Sequence, residues 1–308
     1  MLPKSRIIAS LLAGLGIALL VGGLLAPRVL NSGAKLPLDL GAVTLTMADP
    51  DGTREGEPAP VVHQLHMEVQ NPAGKDSTSV RVGDTLRAGD AGTDFENLVG
   101  ASTWTYTLDR ETGEAQGPAK VQLVMAMPAV DVPVEGSWLK LPSPVKQETY
   151  QVFDPVLRGA APAEFVAEES VAGRTVLRFR QVIAPTNVAQ RYADMRNTLT
   201  VEGEDGEPVR TFYTHSAQRE LLVDQITGVV VGMQERVNDY YADVDGNEVQ
   251  GIVSYDAAMD EQQTAELISL LDGAYGPSTQ QAFTWSVLGL GGALTLIGLV
   301  GALWPRRR

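Results

Sequence analysis

Cysteine is absent from all 308 residues, which excludes disulfides, thiolate metal sites, iron–sulfur ligation and an acylated-cysteine anchor. Basic residues are in deficit, 24 Lys and Arg against 38 Asp and Glu, for a formal charge of −14 at pH 7. A nucleic-acid binder working through phosphate neutralisation is thereby excluded. Histidine is scarce, limited to His63, His66 and His215, and no Gly-x-Ser-x-Gly elbow, phosphate-binding Gly-rich loop or His-Glu-x-x-His helix occurs. Asn-x-Ser/Thr acceptors are also missing.

Charge is absent from two long stretches. Ile7 to Ala26 gives twenty residues without a charge, and Ala282 to Trp304 gives twenty-three. About twenty helical residues cross the hydrocarbon core, so both read as transmembrane helices. Trp285 and Trp304 sit about 28 Å apart on the second, where indoles favour the two interfaces. Lys4 and Arg6 before the first would also suit a secretory signal, but the run exceeds a usual signal core and Pro27 follows directly, so an uncleaved anchor is expected.

Lys4 and Arg6 on one side and Arg306, Arg307 and Arg308 on the other place both termini in the cytoplasm by the positive-inside rule. The expected layout is a cytoplasmic stretch at 1–6, a span at 7–26, an extracytoplasmic domain at 27–281, a second span at 282–304 and a basic tail at 305–308. Between the spans, 19 basic residues face all 38 acidic ones. A cysteine-free acidic domain outside a plasma membrane points to a bacterial envelope. Small residues at four-residue spacing, Gly14, Ala18, Gly22 and Ala26 in the first span and Gly289, Ala293 and Gly301 in the second, predict helix packing within the chain or in an oligomer. Neither span holds an ionisable residue that would mark an ion path.

Between the spans, period-two alternation dominates. Thr103, Thr105 and Thr107 oppose Trp104, Tyr106 and Leu108; Val121, Leu123, Met125 and Met127 alternate likewise; Leu177 and Phe179 oppose Arg178 and Arg180. Glu220–Val223 and Gly228–Val237 read as a hairpin through residues 224–227, and 111–117 and 243–247 read as turns. Helix is expected at Asn187–Arg196 and Met259–Leu271, the latter stopped by Gly273, and loops at 49–60 and 71–76. The fold class is α+β, one β-rich extracytoplasmic domain between two terminal transmembrane helices.

If Val62–Val69 is a strand, His63 and His66 point to opposite faces and share no metal. Asp243, Asp245 and Asn247 resemble the start of a calcium loop, but Gly246 stands at the fourth position and Ser254 at the twelfth, so a plain turn is expected. Acidic pairs such as Glu168–Glu169 and Glu204–Asp205 are explained by solvation. No cofactor or metal is expected.

One long segment carries a resemblance. Tyr150, Phe153, Asp154 and Pro155 precede a Gly-led strand, Gly173 to Phe179, and later a Val-Asp-x-x-Thr-Gly-Val hairpin, Val223 to Val229, which includes Asp224, Thr227 and Gly228. This order is similar to actinobacterial two-pass envelope proteins grouped as the porin PorA family. Gln225 stands where such proteins commonly have Pro. The resemblance implies an ectodomain similar to the class B scavenger receptors, with an internal lipid tunnel, and a part in lipomannan and lipoarabinomannan assembly. A porin barrel would need a lipid-facing apolar band on most strands and no helical spans, so the porin label is expected to be a misnomer.

Four functions follow. The leading expectation is a non-catalytic protein that binds or transfers lipid or lipoglycan precursors, with Trp104, Tyr106, Trp138, Tyr150 and Phe153 as candidate lipid contacts. Its partners would be a lipid or lipoglycan, the membrane and an envelope glycosyltransferase. The alternatives are a scaffold for such a glycosyltransferase, a glycan hydrolase using two carboxylates, or a pore formed by the oligomerised helices.

Overall fold

The strand phases read from sequence reappear as alternating buried and exposed positions along a large antiparallel sheet. The computed structural model describes residues 4–30, 34–38, 40–90, 92–123, 128–203, 206–275 and 277–303. Its helices are α1 (Lys4–Leu30), α2 (Glu261–Tyr275) and α3 (Pro277–Leu303). The strands in chain order are β1 (Ala42–Asp49), β2 (Thr53–Arg54), β3 (Glu57–Pro58), β4 (Val61–Ala73), β5 (Ser77–Ala88), β6 (Leu98–Asp109), β7 (Ala119–Gln122) and β8 (Val130–Val132). They continue with β9 (Tyr150–Asp154), β10 (Gly159–Val171), β11 (Arg174–Asn187), β12 (Thr198–Glu202), β13 (Pro208–Asp224), β14 (Val230–Ala242) and β15 (Glu248–Met259). The chain divides into two units, one formed by residues 1–32 with 275–308 and one by 33–274.

In the second unit the strand order is β8-β7-β6-β5-β4-β1-β15-β14-β13-β11-β10-β9, with β12 added to β13 and the small β2–β3 hairpin to β15. Trp104 on β6 nevertheless meets Phe153 on β9, ring centres 5.5 Å apart, although these strands lie near opposite ends of that order. The sheet therefore curls until both edges close on one core. Right-handed strand twist makes such curling the natural course of a long antiparallel sheet. Trp104, Tyr106 and Leu108 point inward while Thr103, Thr105 and Thr107 stay partly exposed, and Leu177 and Phe179 are fully buried while Arg178 and Arg180 face out. A fully buried side chain such as Phe179 contributes about 1.5–3 kcal/mol.

The outward face is laced with charge. Arg178 binds Glu169 at 2.5 Å and Glu220 at 2.8 Å, and Arg180 binds Glu220 at 2.6 Å. Glu169 thus serves an ion ladder, while Glu168 accepts from the Gln147 amide at 2.9 Å. Glu204 and Asp205 lie outside the described residues, as do Met125 and Met127.

Several boundaries differ from the sequence reading. Asn187–Arg196 forms two 3-10 turns, Val188–Gln190 and Met195–Asn197, because the side chains of Asn187 and Asp194 each accept an amide two residues on and break the segment up. α2 buries Ile268 and Leu271 as expected, but runs through Gly273 to Tyr275. β4 extends to Ala73, so the expected loop at 71–76 shrinks to a tight turn closed by Gly74 N donating to Ser77 O at 2.8 Å. Within 49–60 the chain forms the β2–β3 hairpin. The turn at 243–247 needs no ion: Asp243 Oδ1 accepts from the amides of Asp245 and Asn247, both at 2.9 Å.

In the first unit α1 and α3 pack on each other. Of the expected stripe, Gly301 lies in the contact, but the other described positions do not. Gly14, Gly22 and Gly289 have nothing within 4 Å of where a Cβ would stand, and Ala18 and Ala293 are exposed. A Cβ on Gly291 would come 2.9 Å from Gly16 O, one on Gly298 2.6 Å from Ala9 O, and one on Gly301 3.1 Å from Ala9 Cβ. Close backbone approach thus uses Gly16, Gly23, Gly291 and Gly298, each glycine pair seven residues apart and so on one face of its helix. α3 contains one window, Thr284–Gly301, long and apolar enough to cross a membrane, and the apolar stretch of α1, Ala9–Leu25, is shorter.

Candidate functional site

Inward positions of a curled sheet should be apolar, yet two pairs of adjacent strands, β13 with β14 and β4 with β5, separated by β1 and β15, break that rule. β13 runs inward through His215, Ala217, Arg219 and Leu221, β14 through Met233, Glu235, Val237 and Asp239, β4 through Val61, His63 and Leu65, and β5 through Val82 and Asp84. Strand register puts Arg219 directly opposite Glu235 and His215 directly opposite Asp239. Burying one such charge costs several kcal/mol unless it is paired and hydrogen-bonded.

All are paired, in one continuous chain. Asp84 Oδ1 lies 3.0 Å from His63 Nε2, His63 Nδ1 makes a short bond to Glu235 Oε1, and Glu235 Oε2 accepts from Arg219 Nε at 3.1 Å. Arg219 donates onward to Asp154 Oδ2 at 2.6 Å and to Gln181 Oε1 at 3.2 Å. His215 Nε2 is 3.4 Å from Asp154 Oδ2, its Nδ1 is 2.6 Å from Asp239 Oδ1, and Tyr213 donates to Asp239 Oδ2 at 2.7 Å. Tyr255 donates to Glu235 at 3.1 Å. His215 Nε2 is buried and, among the described residues, completes no hydrogen bond of good geometry.

The charges hold one another ionised. Burial alone would lower both histidines, but Glu235 and then Asp84 raise His63 to about 10, and Asp239 and then Asp154 raise His215 to about 10. Burial would raise Glu235, yet His63 and then Arg219 outweigh it and hold it at about 2. Asp154 is likewise held well below the usual carboxylate range by Arg219 and His215 against the opposing effect of burial. Burial pushes the Tyr213 and Tyr255 phenols far above 10, and Asp239 and Glu235 add to it.

This network forms one wall of a cavity of about 240 Å³. Its remaining wall mixes apolar Leu86, Val99 and Ile252 with Arg158, Tyr192 and Arg196, and Gly100 leaves open space at its own Cβ position. Every histidine nitrogen of the network faces a carboxylate, and among the described residues no group of three ligand-type side chains is arranged to hold a metal ion. His66 faces outward against Thr44 Oγ1 at 2.8 Å, on the opposite face from His63.

The aromatic candidates converge elsewhere. Trp104 meets Trp138 edge-on at 5.4 Å, Trp138 meets Phe153 at 5.6 Å and stacks on Tyr106 at 6.5 Å, while Tyr150 packs on Phe179 at 5.5 Å. All five are buried core, and of them only Trp104 also borders the cavity. Trp138 and Phe153 instead border a void of about 20 Å³ beneath it. That places them as the packing against which the network is seated.

The motif residues secure turns. Asp154 Oδ1 accepts from Leu157 N at 2.6 Å, fixing the turn that Pro155 begins at the cavity wall. Gly173, with Ala172, supplies the two positive φ values, 83° and 49°, of the β10–β11 turn. Asp224, fully buried, accepts from Arg174 at 2.8 and 2.9 Å and from Thr227 N and Oγ1 at 2.8 and 2.6 Å. Gly228 has φ 73°, and a Cβ there would overlap the Leu141 carbonyl. Gln225 N donates to Thr175 O at 3.1 Å, a bond that Pro at this position could not make.

Sequence reasoning missed Asp84, Arg219, Glu235 and Asp239 as a group. Their signal is a charge at the inward phase of each of several strands, visible only when strand phase and strand adjacency are known together.

The family model described as Porin PorA matches residues 8–300. A relative named Porin PorA from Corynebacterium resistens is 24% identical over 239 residues, covering 65% of this chain and 57% of the relative. Another of the same name from Corynebacterium amycolatum is 24% identical over 231 residues, covering 63% and 58%. The chain spans less than three fifths of the length of these curated relatives.

Proposed function

The chain belongs to the Porin PorA family, and on that premise we propose that it is a non-catalytic protein of the cell-envelope membrane that binds the polar part of a lipoglycan precursor. In this reading α1 and α3 anchor the chain with both termini in the cytoplasm, and the strand unit lies outside. The observation that carries it is the cavity, about 240 Å³, with charged groups on one wall and aliphatic and tyrosine side chains on the other. Pockets for whole drug-sized ligands run to about 300–1,000 Å³. This one suits a headgroup or a single sugar, so a tunnel for an entire acyl chain is not part of the proposal.

The charge state of the wall supports binding over catalysis. A general acid or base works best with a pKa near the working pH. Glu235 near 2 and both histidines near 10 stand far from neutrality on either side. A two-carboxylate hydrolase needs one carboxyl protonated before reaction, and ion pairing opposes that here. The porin name of the relatives finds little support in the strands, since an outward face carrying Arg178, Glu169, Glu220, Arg236 and Asp256 is unsuited to lipid. A glycosyltransferase of the envelope is the partner such a binding protein would serve.

The test is mass spectrometry of lipids and lipoglycans that co-purify with the full chain from its native membrane in mild detergent. Gly100→Trp, which builds an indole from the open space at the cavity wall, is the control. A stoichiometric glycosylated lipid on the native protein, lost in Gly100→Trp, is the expected result. Equal occupancy of both proteins, or none on either, would overturn the reading.

A further inference from the structure

Arg158 is out of place by three measures. It closes the turn between β9 and β10 with φ 49°, a left-handed conformation that a non-glycine residue adopts at a cost. The turn is fixed on both sides, by Asp154 accepting from Leu157 N at 2.6 Å and by Tyr192 Oη donating to Val156 O at 3.0 Å. Its guanidinium lies 3.7 Å over the centre of the Tyr192 ring at the cavity wall, half-buried, and among the described residues it has no hydrogen-bond or ion-pair partner.

The neighbouring groups explain why no carboxylate satisfies it. Asp194 feels the charge of Arg158 but is hydrogen-bonded by Arg196, at 3.0 Å from its amide and 3.3 Å from its Nε. Asp84 and Asp239 on the wall are engaged by His63 and by Tyr213 with His215. Five cationic side chains, His63, Arg158, Arg196, His215 and Arg219, border the cavity against those two carboxylates, with Asp154 and Glu235 behind them. His215, 1% exposed, borders the same wall, and its buried Nε2 has Asp154 Oδ2 at 3.4 Å without a well-formed hydrogen bond. In a chain of net charge −14, a spare guanidinium held rigid by an aromatic face is not a product of overall charge.

We propose that the turn presents Arg158 to the anionic group of the ligand, a phosphate ester, which Arg158 and Arg196 hold at the cavity wall with His215 behind them. A planar guanidinium pairs with phosphate through two parallel bonds, and stacking on Tyr192 fixes the plane in which it does so. The proposal rests on the cavity being the binding site and adds the chemical class of what enters it. The ester can come from a polyprenyl phosphate in the bilayer or from a soluble sugar phosphate.

The experiment uses the full chain in nanodiscs. Calorimetry with a soluble hexose 1-phosphate, with the uncharged hexose, and with nanodiscs doped with a polyprenyl phosphate separates the sources. Binding of one of the two phosphates is expected, weakened at least about tenfold in Arg158→Gly and only partly in Arg158→Lys, since charged hydrogen bonds of this kind are worth about that factor or more. Glycine accepts the positive φ of position 158, so Arg158→Gly keeps the turn. Hexose binding unchanged by the phosphate and by Arg158→Gly would overturn this inference while leaving the cavity reading intact. Absence of binding by every probe, with Gly100→Trp indistinguishable from the native chain, would overturn both.

Discussion

Arg219 is the residue on which the buried network turns, because among the described residues it alone is ion-paired with both Asp154 and Glu235. Removing one partner of a buried ion pair costs about 3–5 kcal/mol. Arg219→Gln should therefore lower the urea midpoint of the full chain by a corresponding amount, read by the fluorescence of buried Trp104 and Trp138, whereas the exposed Arg236→Gln should change it by less than about 1 kcal/mol. The network also sets a pH dependence. His63 and His215 rise to about 10 in the folded chain from 6.5, so their contribution is complete below 6.5 and is lost as pH rises through 10. Glu235 falls to about 2 from 4.5, so its contribution is complete above 4.5 and is lost as pH falls through 2. These groups together favour greatest stability between about pH 4.5 and 6.5. Lys140 acts the other way: burial lowers it from 10.5 to about 7, and stability rises with pH across that window. Unfolding midpoints measured from pH 4 to 10 should fall on the alkaline side, and should fall more steeply in Lys140→Met.

At the scale of elements, turns and helix contacts decide more than strand propensity does. The β13–β14 turn combines a buried carboxylate, Asp224, with a glycine whose φ of 73° and contact with Leu141 leave no room for a side chain. Gly228→Ala is expected to destabilise the chain by about 1–3 kcal/mol, measured by the same urea titration, while Gly246→Ala in the open turn at 243–247 should cost less because nothing lies within 4 Å of its Cβ position. The α1–α3 contact can be read directly, since the chain has no cysteine of its own. Oxidation should cross-link the pair Ala9→Cys with Gly301→Cys, whose Cβ positions are 3.1 Å apart. The pair Gly14→Cys with Gly289→Cys should stay reduced within one chain. Cross-linking of the second pair alone would place Gly14 and Gly289 in the contact in place of Ala9 and Gly301.

For the whole molecule, the proposed anchored layout makes a labelling pattern that either appears or does not. Val244→Cys, at an exposed turn of the strand unit, should react in intact cells with a membrane-impermeant maleimide, and Arg307→Cys should react only after lysis. The reverse pattern would invert the topology. The two apolar terminal helices, the strand-rich middle, the β13–β14 hairpin and the motif turns were all legible in the chain, since hydropathy, period-two alternation and turn chemistry are local properties. The helix-packing stripe was not, because small residues occur on several faces of each span and only the rotation of α1 against α3 selects Gly16 and Gly298.

The sequence by itself determined composition, the uncharged runs from Ile7 to Ala26 and from Ala282 to Trp304, and the inward and outward phase of strands such as Thr103–Leu108. Tertiary structure alone decided that the sheet curls so that Trp104 meets Phe153, and that His63, His215, Arg219 and Asp239 fall on one cavity wall with Glu235 behind it. The physical reason is that a buried charge is tolerable only beside its counter-charge. Those partners, separated by as many as 172 residues in the case of His63 and Glu235, are brought together by strand order and register, which no single stretch of chain encodes.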